Sequence, residues 1–299
     1  MHGRGSSDSR LVDDPAVSVI IPTFRREVTL VSAVRSVLGQ ANVTLEVIIL
    51  DDAPEGSAAA AVLALGDSRV RYVKREKPSG GRPAVVRNEG ITLARGRHLH
   101  FLDDDDLLAD GALGALASAL DRAPDVGVAI GTVAPFGDDA VVLARQEAYF
   151  AGASKTLRAA RSRVSLLAAM LFDATPLVNS SCMVRRSCAL SVHGYATDVP
   201  RCEDVDFYLR AIRRSGHVFV DRPVLRYRTG APSLMHSLAD DSPLLRQSYG
   251  TIHRRYRLDH GTAEFIALKA LAKYRRWRAG RARPETVPSS AAVHAARVS

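Results

Sequence analysis

Four consecutive carboxylates, Asp103 to Asp106, close an apolar run in the stretch HLHFLDDDDLL (His98 to Leu108). Like charges at this density repel one another and hold water tightly, so they call for full solvation or a cation. Oxygen-only ligands suit a hard divalent ion such as Mg²⁺ or Mn²⁺, although taken alone the run also reads as a solvated acidic loop. Two further acidic pairs stand beside other elements: Asp51 and Asp52 follow the apolar LEVIIL, and Glu203 and Asp204 open the helical pattern of CEDVDFYLRAIRRSG. Carboxylates after a strand can accept hydrogen bonds from a nucleobase N–H or from ribose hydroxyls. Glu203 and Asp204, taken alone, read as a helix-capping pair. Arg82 and Arg87 lie about one and a half helical turns apart, close enough to serve one anion near a helix start. Together these residues describe a site for a nucleoside diphosphate. No GxxxxGK[ST] or GxGxxG occurs, which argues against P-loop NTPases and dinucleotide oxidoreductases.

The elements that must position these groups follow from the hydrophobic pattern. Val17 to Ile21 (VSVII) reads as a fully buried strand stopped by Pro22, Glu27 to Leu38 as a helix closed by Gly39, and Leu45 to Leu50 as a second, parallel strand. An alanine-rich helix over about Glu55 to Leu65 leads to a third strand, RVRYVKR. Gly80, Gly81 and Pro83 begin a helix carrying Val85, Val86, Ile91 and Leu93, which Gly96 is expected to end. In the fourth strand His98, His100 and Leu102 share one face, and the two histidines are expected to be satisfied by neighbours rather than to bind a metal. A helix from about Asp110 to Arg122 and the strand VGVAIGTV complete a doubly wound α/β core. In such a sheet the three acidic positions converge on one edge.

Composition narrows the class. At 299 residues and 46% hydrophobic content, the chain can bury a substantial core. Its formal charge is +9, but Lys269 to Ser299 holds eight Lys/Arg against one Glu, so the body is nearly neutral and general nucleic-acid binding is not expected. Cys182, Cys188 and Cys202 form no Cys-x-x-Cys pair, which points to a reducing cytoplasm rather than a disulfide scaffold. No apolar stretch long enough for a signal peptide or a membrane span is seen.

The expected organisation is a disordered leader (1–15), a catalytic unit (16–230), a helical extension (231–279) and a disordered basic tail (280–299). The loosely patterned 135–176 segment, which contains the helix-like RVSLLAAMLF, reads as an insertion facing the acceptor. HVFVDRPVLRYRTG supplies one or two final strands. Leu244 to Lys273 is expected to be helical, with Phe265, Leu268, Leu271/Ala272 and Trp277 sharing one face and Lys269, Lys273 and Arg276 another. Core packing is the default for that face, and peripheral contact with the inner face of a membrane is the sharper alternative.

Four motifs in order resemble family 2 glycosyltransferases, inverting, metal-dependent enzymes of GT-A fold. VSVIIPTFRRE is similar to that family's opening strand, VIILDDAPEGS to its nucleobase turn, RNEGITLARGRHLHFLDDDD to its helix and metal stretch, and CEDVDFYLRAIRRSG to its catalytic-base segment. The resemblance covers about Ala16 to Arg228. It implies that Pro22, Thr23 and Asp52 hold a uracil-type base, with Arg87 approaching the nucleotide and Asp104 near the ribose or donor sugar. It further implies Asp105 as the direct ligand of Mn²⁺ or Mg²⁺, Asp103 as the outer carboxylate, Asp204 as general base and Glu203 as its neighbour in acceptor binding. Asp51 and Arg82 join the donor-binding set. Asp204, at a helix N-terminus, is expected to stay ionised. DDAPEGS and VHGYATD depart from the commoner family patterns, and Gly230 stands where many members carry a histidine; His236 reads equally as a substitute or as a surface residue and stays outside the metal set. The expected reaction is transfer from a UDP-linked donor to a saccharide, lipid-linked or natural-product acceptor. The rival reading is a nucleotidyltransferase acting on a sugar phosphate.

Overall fold

A computed structural model of the chain describes residues 14–173, 175–230 and 243–281. Most of the expected leader, His236 and almost all of the expected basic tail lie outside the described residues. Strand β1 (Val17–Thr23), helix α1 (Glu27–Leu38) and strand β2 (Leu45–Asp51) form the first right-handed unit, followed by α2 (Ala59–Leu63) and β3 (Val70–Lys74). Helix α3 (Pro83–Leu93), β4 (His98–Phe101), the short β5 (Leu107–Leu108), α4 (Ala112–Asp121) and β6 (Val128–Phe136) come next. Then follow α5 (Ala140–Ala159), α6 (Arg163–Phe172), a 3₁₀ turn at Asn179–Ser181, β7 (Cys182–Arg185), α7 (Arg186–Ser191), α8 (Glu203–Ser215), β8 (His217–Arg228), α9 (Pro243–His260) and α10 (Thr262–Arg281).

The eight strands form one sheet in the order β3-β2-β1-β4-β7-β6-β8-β5. β1 pairs in parallel with both β2 and β4, β2 with β3, and β6 with β8, whereas β7 and β5 run antiparallel to their neighbours. The fold is therefore α/β with a mixed, mostly parallel sheet and C-terminal helices. Winding reverses between β1 and β4, so the ends of these strands open a crevice at the switch point. Alternation along β1 sends Val17, Val19 and Ile21 into one core with Leu30 and Val34 of α1 and Leu113 and Leu116 of α4. Ile20 faces the other core with Ile91 of α3, Leu167 of α6, Phe207 of α8 and Leu268 of α10. At Gly90 an added Cβ would meet Ile20 Cγ2 at 2.4 Å. Only hydrogen fits there, which lets α3 lie directly on β1 and brings Arg87 to the sheet edge.

Several boundaries differ from those the sequence suggests. Pro22 does not stop β1: it sits inside the strand opposite Leu50. Its missing N–H costs one ladder bond near the strand end, where the chain leaves the sheet anyway. α2 is shorter than the alanine content implies, and α3 ends at Leu93 rather than at Gly96, because Ala94 is already extended toward β4. RVSLLAAMLF is helical as expected, but α5 before it carries too little apolar periodicity to be read. β8 is one strand, and Gly261, at φ 87°, divides the C-terminal segment into two helices. Trp277 does not share a face with Leu268: Leu268 is buried and Trp277 is 51% exposed. Nine residues are about two and a half turns, which puts the two on opposite sides. Among the described residues no helix is long and apolar enough to cross a membrane.

His98 and His100 are both buried. His98 Nε2 lies 2.9 Å from Asp121 Oδ1, whereas the His100 ring has only the Cys182 backbone beside it to bond. His100 is therefore the less well satisfied of the two strand histidines. Burial lowers its pKa to about 4. An imidazole that is neutral when folded and titrates near 6.5 when unfolded makes stability fall as pH drops below about 6.5. Urea denaturation at pH 7 and pH 4.5 is expected to show His100→Leu losing roughly 2–3 kcal/mol less than the wild type over that interval. Equal losses in the two proteins would exclude His100 as the source.

Candidate active site

The C-terminal ends of β1, β2, β4, β6 and β8 and the N-terminus of α8 face one crevice. After β2 the two aspartates have different fates. Asp51 is fully buried and accepts hydrogen bonds from Ala53 N (3.0 Å), Ala58 N (2.9 Å) and Tyr72 Oη (2.9 Å). Its oxygens are spent on holding the loop that follows and on Tyr72, so it shapes the turn after β2 rather than facing the crevice. Asp52 accepts from Arg75 and from Ser79 N (2.8 Å) and Ser79 Oγ (2.6 Å). Arg75 also bonds Glu89 at 2.7 Å, which locks the 52–79 contact onto α3.

The acidic loop after β4 is the most charged part of the crevice. Thr23 Oγ1 donates to Asp104 at 2.7 Å, and Arg26 Nη1 lies 2.7 Å from Asp105 Oδ2 and 3.2 Å from Asp104 Oδ1. Asp103 N donates to Ser180 Oγ at 3.1 Å, while Asp106 Oδ1 accepts from Arg228 N at 2.9 Å and its carboxyl also lies beside Ser180. Burial, only partly offset by Thr23 and Arg26, pushes the Asp104 carboxyl up to about 6. Burial and then Asp103 raise Asp105, and burial with Asp103 and Asp105 raises Asp106 well above the usual carboxylate range. Burial and mutual repulsion thus both oppose full ionisation of the loop, and a cation among these carboxylates would relieve both. Asp106 is turned inward to the β8 end and serves the turn.

Arg87 is buried beneath this loop. Its Nη2 donates to Asp103 Oδ1 at 2.8 Å and its Nη1 to Glu203 Oε1 at 2.6 Å, and its guanidinium lies 5.5 Å from the centre of the Tyr195 ring. Burial works against the charge, yet Asp103 and Glu203 outweigh it and hold the guanidinium firmly protonated. The pairing of Arg82 and Arg87 on one anion is not formed. Arg82 folds back onto Ser79 O at 2.9 Å, and five residues along a helix separate two side chains by about 140°. Tyr195, which supports Arg87, is itself fixed: Asn88 clamps its backbone N (2.7 Å) and O (2.8 Å), and Asn179 Oδ1 accepts from its hydroxyl at 2.9 Å. A Cβ at Gly194 would stand 2.4 Å from Asn88 Oδ1, so this clamp requires glycine there.

Asp204 lies in the first turn of α8 as expected, half-buried, with Val205 N donating to its Oδ1 at 2.9 Å. The expectation that it remains fully ionised is not met. Burial, together with the charge of Glu203, pushes it up to about 7 despite Arg87 nearby. A helix N-terminus contributes about 0.3–1 kcal/mol in favour of the anion, too little to offset desolvation beside a second carboxylate. Tyr149 of α5 feels the charge of Asp204 and bonds Thr175 O at 3.2 Å, and Thr175 Oγ1 lies 3.4 Å from Tyr249 Oη of α9. Arg26, Arg75, Ser79, Ser180, Tyr195 and Arg228 escaped sequence reasoning. Arg26 alone carried a signal, being a second basic residue directly after the first strand.

Among the described residues no three Asp, Glu, His or Cys side chains already form a metal cage. The oxygen donors of Asp103, Asp104 and Asp105 instead match a hard ion held by one or two carboxylates, with phosphate oxygens and water completing its shell.

Comparison with known proteins gives a consistent result. The model of glycosyl transferase family 2 matches residues 18–189. The chain is 35% identical over 109 residues to the succinoglycan biosynthesis protein ExoO of Rhizobium meliloti, covering 36% of this chain and 31% of that one. It is 38% identical over 104 residues to a GalNAc(5)-diNAcBac-PP-undecaprenol beta-1,3-glucosyltransferase of Campylobacter jejuni, covering 34% and 33%. These matches span about a third of the length of those curated relatives. In fold it resembles S. aureus TarS 1-349 in complex with UDP-GlcNAc, with a TM-score of 0.63 at 17% identity over 86% of this chain and 70% of that one.

Proposed function

Because the chain belongs to glycosyl transferase family 2, we propose that it moves a sugar from a nucleotide-diphosphate donor, UDP-linked by preference, to an acceptor hydroxyl or amine with inversion. The observation that supports this reading is the Asp204 carboxyl, raised to about 7 at the mouth of the same crevice that holds the acidic loop. A base must lose its proton near working pH to accept one efficiently. In the reaction, the acceptor oxygen forms a bond to the anomeric carbon while its proton passes to Asp204. The bond from that carbon to the diphosphate breaks on the opposite face, and the electron pair leaves with the nucleoside diphosphate.

On the donor side, Pro22, Thr23 and Asp52 would hold the base. Three bonds from Arg75 and Ser79 leave the Asp52 carboxylate one lone-pair site for a base N–H. Asp104, held by Thr23, would face the ribose or donor sugar. Asp105 and Asp103 would hold Mn²⁺ or Mg²⁺, and Arg26, now on Asp104 and Asp105, would yield that place. A divalent ion there supplies positive charge for the leaving diphosphate. Arg87 keeps Asp103 and Glu203 in register, which ties the donor loop to the base. The 16–230 unit would carry the reaction. The 135–176 segment, through Tyr149 and its neighbour Thr175 on the Asp204 side, would receive the acceptor. A lipid-linked acceptor is favoured by the undecaprenol-diphosphate in the Campylobacter relative's name.

Thermal unfolding with UDP, GDP or dTDP, each with and without Mn²⁺, tests the donor reading. UDP with Mn²⁺ at about 100 times its Kd is expected to raise the midpoint by roughly 5 °C, and EDTA to reverse the gain. No stabilisation by UDP, together with pyrophosphate release from a nucleoside triphosphate and a sugar phosphate, would instead assign nucleotidyl transfer.

A further inference from the structure

Helix α10 has two apolar sides. Leu268 and Ala272 are buried against the core with α6, and Arg275 and Arg276 tie the same side down through Ser165 O at 2.6 Å and through Asp173. A helix packed on one side normally presents polar residues on the other. Here, at about 100° per residue, Ile266, Ala270 and Trp277 fall within about 40° of one another and roughly opposite Leu268, with Tyr274 beside them. Ile266 is 60% exposed, and Tyr274 and Trp277 are each 51% exposed, their rings 5.8 Å apart. Lys269 and Lys273 flank this stripe on one side and Arg278 on the other, all exposed.

We propose that this outer face of α10 docks on an anionic bilayer surface. Aliphatic and indole groups gain by entering the headgroup boundary, and a phenol and an indole are suited to a plane that is apolar on one side and wet on the other. The flanking lysines can lay their stems along the stripe while their ammonium groups reach lipid phosphates. Charge complementarity is strong over a wider area: Pro243–Arg281 holds ten Lys/Arg against Asp259 and Glu264, whereas the whole chain is only +9. A protein partner would need a matching acidic patch with an apolar centre; an anionic membrane offers both properties over any extent.

Trp277 is the single tryptophan of the chain, so its emission reports on this face alone. The full chain is titrated with vesicles of phosphatidylcholine alone, or of phosphatidylcholine mixed with phosphatidylglycerol, and sedimented with them. Anionic vesicles are expected to shift the emission to shorter wavelength and to carry the protein down, and phosphatidylcholine alone to do neither. Lys269→Glu with Lys273→Glu is expected to weaken partitioning at least about 30-fold, and Ile266→Ser to weaken it with the charges intact. Both positions are exposed, so unchanged thermal midpoints should confirm that the variants fold. Unchanged emission at saturating anionic lipid, equal partitioning of the charge-reversed variant, or a shift that appears with protein concentration in the absence of vesicles would overturn the proposal. None of these readouts involves sugar transfer, so this inference and the proposed reaction fail separately.

Discussion

Asp204→Asn is expected to lower sugar transfer about 10³-fold while leaving UDP binding within a factor of two. The amide keeps the shape and the bond from Val205 N but cannot take a proton. Folding does not confound the result. A carboxyl raised to about 7 when folded, against 3.8 ordinarily, favours the native state only while protonated, and that contribution is lost as pH rises through about 7. At pH 8 the asparagine variant should therefore be at least as stable as the wild type. In the wild type the same ionisation should appear in the rate, with kcat/KM climbing as pH rises past about 7 and levelling above it. The residual rate of the variant should be flat over that range. Normal transfer by Asp204→Asn, or an unchanged pH profile, would sink the assignment of the base.

The second large effect concerns Arg87. Removing its side chain leaves Asp103 and Glu203 in the crevice without their shared cation. Breaking a buried pair from one side costs about 3–5 kcal/mol, here chiefly because Glu203, 14% exposed, is left with an orphaned charge, Asp103 being 36% exposed. For a chain of this size, Arg87→Ala should lower the thermal midpoint by roughly 5–10 °C at pH 8. Arg87→Lys should recover less than half of the loss, since one ammonium cannot present two parallel donors to carboxylates on separate elements. A stability change under 1 kcal/mol at pH 8 would show that the arginine is not what neutralises them.

Both predictions turn on contacts that join distant parts of the chain, and this is where reading the sequence has its limit. Local pattern determined a great deal. The β-branched run at Val17, the apolar stripe and terminal Gly39 of α1, and the boundaries of α8 all follow from short-range rules, and the structure has them at the expected residues. The order of carboxylates at strand ends was equally legible, because any doubly wound sheet gathers those ends at one edge. The close approach at Gly90, where a Cβ would meet Ile20 at 2.4 Å, was not legible.

Tertiary structure decided what each charged group does. Asp51 and Asp52 are adjacent and chemically identical, yet one is consumed by backbone and tyrosine donors while the other is held by Arg75 and Ser79. Arg87 reads as a phosphate ligand in sequence and becomes a clamp between residues 16 and 116 positions away. Asp104 and Asp204 leave the ordinary carboxylate range only because folding removes water from them and places like charges beside them. The four aspartates after β4 thus show the division most clearly. Their number and place are written in the sequence. Their ionisation, their partners and the inward turn of Asp106 depend on desolvation and on residues brought from β1, α3 and β8, which no local pattern encodes.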